Sequence, residues 1–324
     1  MVETLVPKEC VLGFIANATL APSSHNTQPW LFDAAENRVE LWADRTRALP
    51  ANDPEDRELV QSCGAALFNL RVAVAQAGFV PLVKVLPKAA EPDLLARVSW
   101  PTEGRAPEAE LFDALAKRRT YRRRFAKQPV PDDAVRALER AAELEGVWLC
   151  VLETEARRHA AAALVAHGDA AQWASPSWRR ELAAWMHPRR RGDGLTLPGL
   201  AVPVAQLVVR TFDMGHGTGA RDRELADGSP LLAVLVTAGD TVEDWLAAGQ
   251  ALERVLLSAL GLGLQASFLN QPVQVPTLRP KLAHLLSREG SPQQLLRFGT
   301  PTTELPPSPR RPLTDVLLED QALA

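Results

Sequence analysis

Five arginines fall within seven positions, Arg118, Arg119, Arg122, Arg123 and Arg124, in the stretch RRTYRRRF at residues 118–125. The 324-residue chain as a whole carries a formal charge of −3. Guanidinium forks grip phosphate and carboxylate oxygens two at a time, so the chemistry this run suggests is anion capture. A plainer reading is a solvated helix end, whose carbonyl dipole favours cations. A second polar concentration lies far upstream. SSHNTQPW, residues 23–30, gathers the hydroxyls, imidazole and amides of Ser23, Ser24, His25, Asn26 and Gln28. Without a ligand, such a stretch reads as a helix-to-strand connection built from Asx and Ser turns. Two more arginines, Arg310 and Arg311, sit in a proline-rich tail, PPSPRRPLTDVL.

Other chemistries find little support. The six histidines are dispersed, with no HxxxH or HExxH, and no CxxC occurs among the three scattered cysteines. That argues against a metal site and a disulfide framework, and for reduced thiols in a cytoplasmic protein. There is no GxSxG elbow, no GxGxxG after a strand and no GxxxxGK[ST] loop. The slightly acidic balance argues against a nucleic-acid partner. No apolar run approaches a membrane span, and the N-terminus lacks a signal peptide's basic start.

The positioning elements follow from periodicity. Residues 7–20 read as an amphipathic helix, and 30–32 with 38–42 as a hairpin. A long helix is expected over 53–79 and two strands over 80–87 and 94–100. A helix over 108–119 would end in the arginine run. Another is expected over 131–144, then a buried strand at 147–153. Residues 170–228, rich in Trp, Pro, Gly and Arg, read as a lid-like irregular excursion. An apolar strand (231–239), a helix (241–262) and a late strand (295–299) complete the chain. SCGAALFNLRVAVAQAGF (62–79) aligns with AAGQALERVLLSALGLGL (247–264), setting Gly64 on Gly249 and Leu67 on Leu252. Any two Ala/Leu helices align comparably, but the match also suits a chain of two related halves.

Three motifs together resemble the FMN-dependent nitroreductase superfamily over most of the chain. They are Ala21–Trp30 (APSSHNTQPW), Arg118–Arg122 (RRTYR), and a C-terminal set from Ala248-Gly249 through Ser267–Gln271 to Arg310-Arg311. The loop precedes the arginine run, the reverse of the simple family order. In this the chain is similar to the Acg-type branch, in which one chain imitates the family's two-fold dimer. The resemblance implies an α+β nitroreductase fold, with mixed or antiparallel sheets flanked by helices. Residues 1–106 would form the half carrying the loop, and 107–324 the half carrying the arginines.

It also implies one FMN per chain, since each motif occurs once, and NAD(P)H as a possible reductant. Arg118, Arg119 and Arg122 are expected at the phosphate, with Thr120 adding a hydroxyl and Arg310 or Arg311 closing over it. Ser23, Ser24 and Asn26 would reach the flavin, with His25 and Gln28 nearby, and Leu269, Asn270 and Gln271 would lie near its N5 and O4. No catalytic acid or base is singled out, because the flavin carries the chemistry. An FMN-dependent oxidoreductase is the leading expectation. A flavin-sequestering protein with a covered ring is the alternative, and an arginine-based module for nucleic acid or acidic partners a weak third. The chain would be a monomer or a homodimer of pseudo-dimers.

Overall fold

The computed structural model describes residues 5–187, 192–196, 205–207, 209, 222, 223, 226 and 228–318. Helix α1 (Lys8–Ala18) leads into a hairpin of β1 (Trp30–Ala35) and β2 (Arg38–Ala43), then helix α2 (Arg57–Gln76) and strands β3 (Phe79–Val85) and β4 (Leu94–Glu103). These strands form one antiparallel sheet in the order β1-β2-β4-β3. A 3-10 turn, Pro107–Leu111, and a single helical turn, α3 (Phe112–Leu115), lead to α4 (Asp132–Glu143) and β5 (Trp148–Val151). Helices α5 (Glu155–Ala174) and α6 (Pro176–Ala184) follow, then a small parallel pair, β6 (Met186–His187) and β7 (Leu195–Thr196). Next come β8 (Leu231–Thr237), α7 (Val242–Gly261), β9 (Gln265–Phe268), α8 (Gln271–Gln274), a short helix at Arg279–Ala283, and β10 (Ser291–Gly299). The second sheet is also antiparallel, in the order β5-β8-β10-β9.

Both sheets thus place their first, second, fourth and third strands side by side, with one 20-residue helix between the second and third. Those two helices cross at the glycines the sequence alignment pairs. A Cβ on Gly64 would sit 2.4 Å from the Leu246 carbonyl oxygen, and one on Gly249 would sit 2.0 Å from that of Gln61. The same alignment sets Gln61 on Leu246, so the two contacts are one contact repeated about a pseudo-two-fold axis. A two-fold interface requires that reciprocity.

The apolar faces of the helices fill several cores, and the largest in each half lies under the crossing helices. Trp30, Phe32, Leu41, Leu67, Leu70 and Trp100 make the N-terminal one, which Leu246 of α7 also enters. Leu138, Leu235, Val255, Leu256, Leu296 and Phe298 make the C-terminal one. The ends of the chain are sewn crosswise. Phe32 of β1 exchanges backbone hydrogen bonds with Val316 and Leu318 of the tail. The Tyr121 amide donates to Ala266 on the outer edge of β9.

Three departures from the sequence expectation bear on the site. The long helix starts at Arg57 instead of residue 53, because Asp56 takes a left-handed backbone (φ 57°) and Asp53 caps from outside by accepting from the Leu59 amide. The expected helix over 108–119 shrinks to a 3-10 turn and one α turn ending at Leu115. The arginines after it form an extended segment drawn to the edge of β9, so a helix-end dipole does not account for them. The excursion expected from residue 170 begins as helix instead. Ser175 caps α6 by accepting from the Trp178 amide at 3.4 Å, and Pro176 opens its first turn. Most of the rest of that stretch, Arg189–Arg191 included, lies outside the described residues. Among the described residues no helix is long and apolar enough to cross a membrane.

Candidate functional site

A cavity of about 790 Å³ opens between the two halves, within the range that small-molecule sites occupy. Its wall takes residues from the Leu20–Asn26 loop, α2, the Leu115–Arg122 segment, α5 and α6, the Ser267–Gln271 turn, β10, and the tail at Pro306–Arg310.

The loop is held in an unusual backbone. His25, Asn26 and Gln28 have φ of 49°, 56° and 51°, conformations that cost on the order of 1–3 kcal/mol each for a non-glycine residue and cluster at functional sites. Hydrogen bonds hold the shape: the Gln28 amide donates to Ser23 Oγ at 2.9 Å, and the Asn26 and Thr27 amides donate to the Ser23 and Ser24 carbonyls. Ser24 Oγ donates to Glu58 Oε2 at 2.6 Å. Asn26 reaches across to the Gly194 and Pro309 carbonyls. His25 Nδ1 is buried without a partner, and burial, followed by the nearby Arg122 charge, lowers the imidazole to about 4. It is therefore neutral at pH 7. Gln28 turns out of the cavity. Its side chain donates to Gly192 and accepts from the Arg311 amide.

The arginines divide into groups. Arg118, fully inside the wall, lies 3.3 Å from Glu253 Oε1 and donates to the Leu20 carbonyl. Asn69 donates to the same Glu253 oxygen and accepts from the Ala21 amide, both at 3.1 Å, in the amide orientation that satisfies both groups. Arg310 closes the end of α1, donating to the Thr19, Leu20 and Ala21 carbonyls at 2.7, 2.8 and 3.2 Å. Burial, then Arg118, brings its guanidinium down to about 9; it stays charged at pH 7. Arg119 stands beside them, lowered by burial and by Arg118, with its Nε unpartnered. Arg118 and Arg310 thus share one buried carboxylate, Glu253, with Arg119 beside them, a balance of three cations to one anion that favours a further anion.

Arg122 belongs elsewhere. It is exposed yet lines the cavity, and burial of the guanidinium lowers its pKa. The charge it senses is that of Asp222, and its own charge helps to keep His25 neutral. Arg311 does not line the cavity at all. It donates to the Gln28 and Trp30 carbonyls and pairs with Asp44, fastening the tail to β1. Arg123 points to Thr303. Thr120, Leu269, Asn270 and Gln271 line the cavity as expected.

Several cavity residues are isolated polar side chains inside apolar elements. Glu58 on α2 accepts from Ser24 and twice from Gln274 at 3.0 Å. Gln294 on β10 donates to Gln61 and accepts from Asn270. Arg297, also on β10, donates to the Tyr121 and Arg123 carbonyls at 2.9 Å and lies over the Phe125 ring. The available signal was the polar run Gln293-Gln294 and the lone Glu58, Gln61 and Arg297 in segments otherwise fit for burial, since buried polar groups need partners.

No protein-family model matches the chain. Over 327 residues, 98% of this chain and 97% of the relative, it is 32% identical to a Mycobacterium tuberculosis H37Rv protein named an NAD(P)H nitroreductase, acg. The chain belongs to the Acg family of nitroreductases. A Serratia protein, PigM, also named an NAD(P)H nitroreductase, is 25% identical over 94% of this chain and 92% of its own. Among solved structures, a Desulfovibrio desulfuricans nitroreductase in complex with FMN aligns with 64% of this chain and 95% of its own, at 21% identity and TM-score 0.39. The two equal strand orders of this Acg family member are consistent with a nitroreductase fold repeated within one chain.

Proposed function

We propose that this chain is an FMN-dependent oxidoreductase that passes hydride equivalents from NAD(P)H to a small organic acceptor. One observation carries the reading: the inter-half cavity holds three guanidiniums against one carboxylate at one end and a bed of amides at the other. The residues present fit FMN. Arg118, Arg119 and Arg310, with the unpartnered Arg119 Nε among their donors, would hold the phosphate dianion. Ser23, Ser24, Asn26 and Thr120 would serve the ribityl chain, and Leu269, Asn270 and Gln271 with Glu58 and Gln61 the ring edge. Bound FMN supplies the two-electron chemistry, and the protein supplies position and electrostatics. Arg122, assigned to the phosphate from sequence, is better placed to face the acceptor, with His25 and Asp222. Gln28 and Arg311 support the loop and tail from behind the wall.

We take residues 1–106 and 107–324 as the two halves, supported by the repeated strand order. A single chain builds the whole cavity, so a monomer suffices for function, and we place it in the cytosol. Purified protein should take up one FMN per chain, and anaerobic NAD(P)H should bleach the flavin absorption. Absence of FMN uptake sinks the reading. A flavin store with little turnover is the second reading, favoured by Trp178 and Leu182 of α6 in the cavity wall. Rapid bleaching followed by reoxidation with a quinone excludes it.

A further inference from the structure

Two carboxylates converge on one amide in the cavity wall. Gln271 Nε2 donates to Asp169 Oδ1 at 3.1 Å and to Asp222 Oδ2 at 2.9 Å. The approach is built in: a Cβ on Gly168 would lie 2.5 Å from Gln271 Cβ, so only glycine lets α5 come close enough to bring Asp169 there. Asp169 is 4% exposed, lines the cavity, and its Oδ2 has no hydrogen-bond partner among the described residues. Neither carboxylate belongs to a sequence motif, and the cofactor assignment above uses neither.

We propose that Asp169 and Asp222 form a carboxyl pair that holds one proton and delivers it to the acceptor as it is reduced. Two carboxylates held so near each other cannot both ionise easily, and differing surroundings decide which keeps the proton. Asp222 is sensed by Arg122 and Arg297, which favour its charge. Asp169 faces Asp222 and Gln271 without such a cation, so it keeps the proton. Burial first, then Asp222, pushes Asp169 up to about 7.

For a quinone, the balance is as follows. NAD(P)H gives up a hydrogen and two electrons and leaves as NAD(P)+. The O–H bond of Asp169 breaks, and a new O–H bond forms on the quinone oxygen. The product is the hydroquinone, and the pair regains its proton from cavity water.

The proposal rests on the oxidoreductase reading, and its test separates the two. In flavin-free protein, infrared spectroscopy should show a protonated carboxyl band that titrates near pH 7 and disappears in Asp169→Asn. In Asp222→Asn it should titrate at lower pH, because the neighbouring charge is gone. In FMN-loaded protein, Asp169→Asn should slow reoxidation by a quinone about 10²- to 10⁴-fold at pH 6, far more than it slows bleaching by NAD(P)H. Wild-type reoxidation should fall as pH rises past 7, and the variant's should not. A band that does not titrate near neutrality, or matching pH profiles in the two proteins, overturns the proposal. Failure to take up FMN instead overturns the functional reading, and the infrared titration still decides the pair.

Discussion

In the N-terminal half, β1 and β2 are joined by the turn Glu36-Asn37; their counterparts β5 and β8 are separated by residues 152–230. The loop before the first strand reverses the inequality. Residues 19–29 precede β1, with three left-handed residues and the serines of the cavity, whereas Leu144–Val147 precede β5. The two halves share a scaffold, and the polar equipment is divided between them: one contributes the strained loop, the other the arginines and helices α5 and α6. Strand order is set by burial of apolar faces, which both halves need. A binding loop is set by its ligand, which only one place needs.

The contrast is sharpest beside the glycine crossing. The alignment that pairs Gly64 with Gly249 also sets Asn69 on Arg254. Asn69 joins Glu253 to the loop at the cavity. Arg254 instead enters a closed network, paired with Glu145 at 2.7 Å and Glu108 at 3.1 Å, while Arg71 pairs with both at 2.6 Å. Both guanidiniums also lie over the Phe68 ring. Where one side of the crossing keeps room, the other side is filled with two cations and two anions in balance.

Breaking that network should have the largest effect. Glu145→Ala leaves two guanidiniums short of a partner and should cost about 3–5 kcal/mol in urea unfolding, with FMN affinity little changed per folded molecule. An unchanged midpoint would show that the network does not brace the filled side. The network also sets an acid response. Burial would raise Glu108, but its own backbone amide, Arg71 and Arg254 outweigh that and hold the carboxyl below 4.5. Its contribution is complete above that value and is lost as pH falls through the depressed folded pKa. Stability should therefore decline below pH 4.5, less steeply in a Glu108→Gln variant.

Gly249→Ala comes next. Its methyl group meets the Gln61 backbone, and overpacking of this kind costs roughly 1–3 kcal/mol, occasionally more. Since the crossing is reciprocal, Gly64→Ala should cost a similar amount; a large disparity in unfolding midpoints would argue against the pseudo-two-fold axis.

At the cavity, Arg119→Ala should weaken FMN binding by about 1.5–3 kcal/mol, the worth of a charged hydrogen bond, read by fluorescence titration. The smallest effect belongs to Arg123→Ala, whose guanidinium meets Thr303 outside the cavity wall; about 0.5 kcal/mol or less is expected in stability or FMN binding. Equal losses from the two substitutions would mean the run works as a diffuse positive patch.

Much of this was legible beforehand. Hydrophobic periodicity located α2, α7 and most strands but missed α5, as long as either and rich in alanine, and the pairing of Gly64 with Gly249 was visible as sequence similarity. The loop, Arg118, Arg119 and Arg310 stood out because they cluster. What escaped had a common cause. Glu58, Gln61, Arg297 and Asp169 are single polar residues whose partners lie far away in the chain. The division of the arginines depended on Tyr121 docking to β9, a contact between residues about 145 positions apart that no local pattern announces. The capped start of α6 was hidden by composition, since Ser, Pro and Trp suggest a loop until their order is read as a cap.

A symmetric homodimer has no private mutations: each change appears on both sides of the axis. Joining the copies end to end lifts that restriction. One position of the internal alignment bears asparagine in one copy and arginine in the other, at Asn69 and Arg254. The two sides can drift as separate lineages inside one molecule, and retiring one site leaves the other free to specialise.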